Sequence, residues 1–111
     1  MRPVRVLVAQ QAASAPVPMD TYANPFNAGL AVVLSAGASL TYTVQHTFDD
    51  IFAPGFNPAN ATWFPHASLV TKTASSDGNY SFPVTATRLN VTIYTSGTAT
   101  LTVVQSGMPG R

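Results

Sequence analysis

Two histidines and two aspartates flank the longest irregular stretch of this sequence, and they are the residues best suited to chemistry. His46 and His66 stand at its two ends, and Asp49 and Asp50 follow the first histidine. Imidazole nitrogens and carboxylate oxygens bind divalent metal ions or exchange protons when three or four of them converge. Adjacent aspartates just after a strand more often stabilise turns or cap a short helical turn. We therefore expect no metal and no cofactor here.

Nucleophilic catalysis has even less support. A serine or threonine nucleophile needs a base that a third group holds in place. The chain has no cysteine and no glutamate, and it contains no glycine-rich phosphate loop, HExxH or GxSxG motif. We expect that the protein is not an enzyme and that it has no catalytic residues.

The chain is poor in charge. Only 8% of its 111 residues are charged, whereas ordinary soluble domains are about 25% charged. The five basic residues are scattered, so they form no patch for nucleic acid, and no apolar run approaches the roughly 18 residues of a membrane-spanning helix. A surface with so few charges makes sense if neighbouring molecules cover much of it, which indicates a protein built for an assembly.

Alternation with a period of two predicts that strands, not helices, position these residues. The alternation is clearest in SLTYTVQHTF (39–48), TRLNVTIYT (87–95) and TATLTVVQ (98–105). In the second of these runs Leu89, Val91 and Ile93 are expected to point inward. The run LAVVL (30–34) is apolar throughout, which predicts a central strand buried on both faces.

Turn-forming residues separate these runs. SAGAS (35–39) and TSG (95–97) predict hairpins, and the Asp-Gly pair of SSDGN (75–79) predicts a third. About eight short strands then predict one all-β domain over residues 1–111: a two-layer β-sandwich, jelly-roll or immunoglobulin-like. Within it we expect an irregular segment at 11–28 and a long aromatic loop at 49–66.

The stretch from His46 to His66 holds five of the eleven aromatic residues of the chain. Part of this cluster is expected to plug one end of the sandwich, and part to bind a partner, because aromatic residues are enriched at interface cores. The residues expected at a partner interface, including two aromatics of the N-terminal third, are Tyr22, Phe26, Phe52, Phe56, Trp63 and Phe64.

The segments LTYTVQHTFDD, SSDGNYSFPVTATRLNV and GTATLTVVQSG resemble small β-rich proteins encoded in the genomes of tailed bacteriophages. The resemblance covers roughly residues 28–107 and includes no catalytic motif. It implies a structural virion protein, in particular a head decoration or cement protein on the capsid surface. Such a protein is expected to bind the major capsid protein and copies of itself, as a dimer or trimer.

Two other functions fit the same pattern. One is a β module elsewhere in the virion, in the tail, the neck or a fibre. The other is a carbohydrate-binding module, in which Trp63 and Tyr94 would stack on sugar rings. A metal-dependent enzyme built around His46 is a weaker third alternative.

Overall fold

A computed structural model describes residues 4–19 and 27–105. In this part of the chain, eight strands form two antiparallel four-stranded sheets, which confirms the predicted two-layer β-sandwich. The strands are β1 Val4–Val8, β2 Val17–Pro18, β3 Ala28–Leu34, β4 Ser39–Thr47, β5 Phe64–Pro65, β6 Ser76–Tyr80, β7 Ala86–Ser96 and β8 Ala99–Gln105. One 3₁₀ turn, Pro58–Asn60, interrupts the loop between β4 and β5. No helix in the described ranges is long and apolar enough to cross a membrane.

The strand order is that of a jelly roll. The front sheet has the order β1-β8-β3-β6, and the back sheet has the order β2-β7-β4-β5. Each strand is followed by a strand of the opposite sheet, except that β5 follows β4 in the back sheet. This order differs from the immunoglobulin arrangement, in which strands A, B, E and D share one sheet. The jelly-roll alternative is the correct one.

The hairpins predicted at SAGAS and TSG are wrong, because both stretches connect the two sheets. One connection leads from β3 to β4, and the other leads from β7 to β8. The two are hydrogen-bonded to each other: Ser35 N–H donates to the carbonyl of Thr98 at 3.0 Å, and Thr98 N–H donates to Ser35 Oγ at 3.0 Å. Turn residues fix a local bend, whereas the burial of the next strand's apolar face decides which sheet it joins.

The hairpin predicted at Asp77 and Gly78 is also wrong, since both residues lie inside β6 and pair with β3. The glycine instead lies where neighbouring side chains pack closely against the strand. A Cβ added to Gly78 would lie 3.1 Å from Leu69 Cδ1 and 3.2 Å from His66 Cε1. The strand lies at an edge of the front sheet and ends before Pro83, as expected for a strand followed by proline.

The core between the sheets contains the inward-facing residues of the alternating runs, with one exception in β7. Leu89 and Val91 are buried as predicted, but Ile93 is 60% exposed. The pairing of β7 with β4 shifts register opposite Thr41 and Tyr42. An extra residue at such a bulge turns the following side chains to the other face. The prediction that Ile93 points inward is therefore wrong, and Tyr94 packs against the core in its place.

Strand β3 is central in its sheet, but only one of its faces is buried. Leu30 and Val32 lie in the core, whereas Val33 is exposed on the outer side of the front sheet. The prediction of burial on both faces is wrong because an apolar run does not show whether a second layer covers it.

The segment predicted to be irregular, 11–28, contains regular structure. Ala13 forms a bridge with Asn90, and β2 pairs with β7. The aromatic loop predicted at 49–66 contains the 3₁₀ turn and β5.

Candidate interaction site at one end of the sandwich

Three partly exposed phenylalanines form one cluster where the β4–β5 and β6–β7 connections meet. Phe48 follows β4, Phe64 lies in β5 and Phe82 follows β6. Their exposed fractions are 53%, 46% and 46%. The ring centroid of Phe48 lies 5.9 Å from that of Phe64 and 6.4 Å from that of Phe82. We call these three residues the phenylalanine patch.

His46 forms the floor of the phenylalanine patch. Its side chain is buried, and its ring centroid lies 5.5 to 6.0 Å from those of all three phenylalanines. On the inner side, its Nδ1 is hydrogen-bonded to the hydroxyl of Tyr80 at 2.9 Å. Tyr80 is fully buried at the end of β6, and its ring stands edge-on to that of His46. The histidine therefore joins the patch to the core.

The floor of the patch carries no charge at neutral pH. Burial lowers the pKa of His46, and the neighbouring His66 lowers it further. Burial raises the pKa of Tyr80 to about 12. Both side chains are therefore neutral, and the hydrogen bond between them joins two uncharged groups. The patch presents an apolar surface on an uncharged base.

His66 is held by hydrogen bonds at both ring nitrogens. Its Nε2 lies 2.8 Å from the carbonyl oxygen of Asn79 and must donate, because a carbonyl only accepts. Its Nδ1 accepts from the backbone N–H of Ser68 at 3.1 Å. The first bond ties the segment after β5 to β6, and the second lies within that segment. Both ring nitrogens of His66 are thus occupied by hydrogen bonds to the backbone.

The four candidate ligands His46, Asp49, Asp50 and His66 do not converge on one site in the structure. Asp49 Oδ2 accepts from the backbone N–H of Thr62 at 2.8 Å, and Asp50 Oδ1 accepts from that of Phe52 at 3.0 Å. The two aspartates thus stabilise the loop, as expected from their position just after a strand. Among the residues that the structure describes, no group of three or more histidines, cysteines and acidic residues could hold a metal ion.

The long loop after β4 is closed by hydrogen bonds to its own base. Thr47 Oγ1 donates to the carbonyl of Thr62 at 2.8 Å, and Thr85 Oγ1 donates to the carbonyl of Asp49 at 2.6 Å. Asn57 caps the 3₁₀ turn, since its side-chain oxygen accepts from the N–H of Ala59 at 3.0 Å. These bonds hold Phe48 and Phe64 in place on either side of the loop.

Trp63 and Phe64 point to opposite faces of the back sheet. Phe64 pairs with the inward-facing His46, so its neighbour Trp63 faces outward. There the guanidinium carbon of Arg88 lies 4.1 Å from the centroid of the Trp63 ring, and Nε1 of Trp63 donates to the carbonyl of Pro58 at 2.9 Å. Trp63 therefore stabilises the base of the loop.

The other residues predicted at the interface are scattered. Phe52 is 79% exposed near the start of the loop, and Phe56 is partly buried. Tyr22 and Phe26 lie outside the described residues. Of the six predicted residues, only Phe64 belongs to the phenylalanine patch, and whether any of the six contacts a partner stays a prediction.

Phe82 is a patch residue that was not predicted from the sequence. The sequence carries one signal for it: Tyr80 and Phe82 are two positions apart, as are His46 and Phe48. Two such pairs on facing strands place four rings at one end of a sandwich.

No protein-family model matches the chain, and no curated protein and no solved structure matches it either.

Proposed function

We propose that the protein is a structural virion protein of a tailed bacteriophage. It binds the assembled capsid and reinforces it, as decoration or cement proteins do. The observation that carries this proposal is the phenylalanine patch: three partly exposed aromatic rings on an uncharged floor, in a chain with 8% charged residues. Contiguous exposed apolar surface marks interaction sites, and interface cores are aromatic and poor in charge.

The size of the patch favours a partner with many identical sites. Complete burial of a phenylalanine side chain is worth about 1.5–3 kcal/mol, and each patch residue is already about half buried. Burying the exposed halves of all three would therefore contribute roughly 3 kcal/mol to binding. This is less than the free-energy cost of the translational and rotational freedom that is lost on association. One patch is too weak alone, whereas linked copies on a capsid lattice add avidity.

The fold is compatible both with a capsid-binding protein and with a carbohydrate-binding module. Jelly rolls occur in viral capsid proteins and in lectins, so the fold alone does not decide between them. The two rings expected to stack on sugars are already engaged. Arg88 covers one face of Trp63, and Tyr94 packs against the core with its hydroxyl donating to the carbonyl of Gly97 at 3.0 Å. The phenylalanine patch supports protein binding more directly.

Purified protein added to capsids that lack it tests the proposal. We expect it to co-sediment with assembled capsids and to raise the temperature at which they disrupt. Phe48→Ser should weaken co-sedimentation, whereas the matched control Ile93→Ser, which changes an exposed apolar residue outside the patch, should not. Failure to bind capsids, with glycan binding that is lost in Trp63→Ala, would instead favour the carbohydrate-binding module.

A further inference from the structure

The outer face of the front sheet is a second apolar surface, separate from the phenylalanine patch. Leu7 on β1, Val33 on β3 and Val104 on β8 are 61%, 56% and 45% exposed. Leu7 and Val33 both pair with Thr100, so these three residues form one row across the sheet. Val104 pairs with Gly29 in a parallel row. Between these residues the face carries threonine, alanine and glycine.

Two charges stand at the opposite ends of the middle row. This row runs from Arg5 on the edge strand β1 through Thr102 and Ala31 to Asp77 on the other edge strand, β6. Both charged residues are exposed. Three strand spacings separate them, about 14 Å, so they are too far apart to form an ion pair within one subunit.

We propose that this face binds a second copy of the chain, front sheet against front sheet. The two-fold axis runs close to the strand direction and passes between β8 and β3. Rotation about this axis exchanges β1 with β6 and β8 with β3, and it leaves each row opposite itself. Arg5 of each subunit then faces Asp77 of the partner subunit. A row with opposite charges at its two ends is self-complementary under a two-fold axis, as an isologous interface must be.

The uncharged residues of the front sheet are compatible with the same two-fold rotation. Val104 of one subunit faces Gly29 of the partner subunit, and Val33 faces Thr100 of the partner subunit. In the first of these pairs a larger side chain meets the bare backbone of a glycine. Facing sheets pack about 10 Å apart and interdigitate their side chains in this way. One rotation therefore pairs the opposite charges and also places Val104 opposite a glycine.

The area predicts a moderate affinity. Two strands of seven residues and two of five give a face about 19 Å wide and on average about 20 Å long, or roughly 380 Å² per subunit. Stable interfaces bury about 800 Å² per partner. The dimer should therefore dissociate on dilution, with a Kd in the micromolar range. This inference does not rest on the capsid proposal, because the two surfaces share no residue.

Sedimentation equilibrium from about 1 to about 500 μM tests the dimer. Arg5→Glu and Asp77→Arg each place like charges opposite one another twice in the dimer, so each should raise the Kd by about 10-fold or more. The double variant Arg5→Glu, Asp77→Arg restores both pairs and should return the Kd to within about 3-fold of the original. Lys72→Glu is the control: it makes the same charge change at an exposed residue outside the front sheet.

Thermal unfolding of each variant shows that it is folded at the temperature of the measurement. A chain that remains monomeric at the highest concentration, or that forms trimers, would overturn the inference. So would a dimer whose Kd is unchanged by the single reversals, or a double variant as weak as the single ones. Capsid binding by a monomeric chain would refute the dimer and leave the proposed function standing.

Discussion

Replacing Phe82 by serine separates the two roles of the phenylalanine patch, packing and binding. About half of this side chain is buried, and half of the value of a fully buried phenylalanine is about 1 kcal/mol. The ring also makes edge contacts with His46 at 5.7 Å and Tyr80 at 5.6 Å, each worth roughly 0.5–1 kcal/mol beyond its area. We expect Phe82→Ser to lower the free energy of unfolding by about 2 kcal/mol.

The exposed half of the ring should matter only for binding. Its loss removes about 1 kcal/mol per contact, a factor of about 5 in the affinity of one copy for the capsid. Urea denaturation measures the first quantity, and co-sedimentation of folded protein with capsids measures the second. Ile93→Ser is the control for both, because Ile93 is exposed to a similar degree and lies outside the patch.

Two outcomes for Phe82→Ser would contradict this description of the patch. A stability cost for Phe82→Ser no greater than that for Ile93→Ser would show that the rings do not pack as described. A full stability cost with unchanged capsid binding would show that the patch only plugs the sandwich and does not bind a partner.

Three further predictions follow from the same structure. Gly97→Ala should lower the free energy of unfolding by several kcal/mol in urea titrations, because Gly97 has φ +92° and an added Cβ would lie 2.4 Å from Ala38 Cβ. Gly37→Ala is the control: with φ +74° and open space around the added Cβ, it should lower the free energy of unfolding by only about 1 kcal/mol. Equal losses for the two variants would contradict the contact with Ala38. The pKa of His46 is lowered in the folded state, so the contribution of the neutral ring to the free energy of unfolding should be fully present above pH 6.5, the pKa of histidine in the unfolded chain. This contribution should be lost as the pH falls below that value. His46→Gln should reduce this slope in urea titrations, and an unchanged slope would refute the assignment. Moderate salt should leave the protein bound to capsids, since few charges are available to be screened; release by salt alone would count against apolar binding.

The sequence predicted the class of the fold but not its connectivity. Alternation in the runs around Tyr42, Leu89 and Leu101 identifies strands because a side-chain period of two is a local property. The choice between hairpin and crossing connection at Ser35 depends on which sheet the next strand covers, which is not local. The bulge that turns Ile93 outward is fixed by pairing with a strand about fifty residues away, so alternation within β7 could not reveal it.

The candidate site was predicted only in part for the same reason. Phe48 and Phe64 fall in a conspicuous aromatic loop, but Phe82 reaches the patch only because β6 crosses to the front sheet. The Asp-Gly pair at residue 77 favours a turn in isolation, yet contact with Leu69 and His66 makes Gly78 a packing residue. Local propensity was overridden by tertiary packing at the positions that build the site.

Quantitative mass spectrometry of purified virions tests the central claim most directly. If the chain covers a capsid lattice, it should be present in a number comparable to that of the major capsid protein. A few copies per particle would place it in the tail or neck, and its absence from every particle would contradict the account.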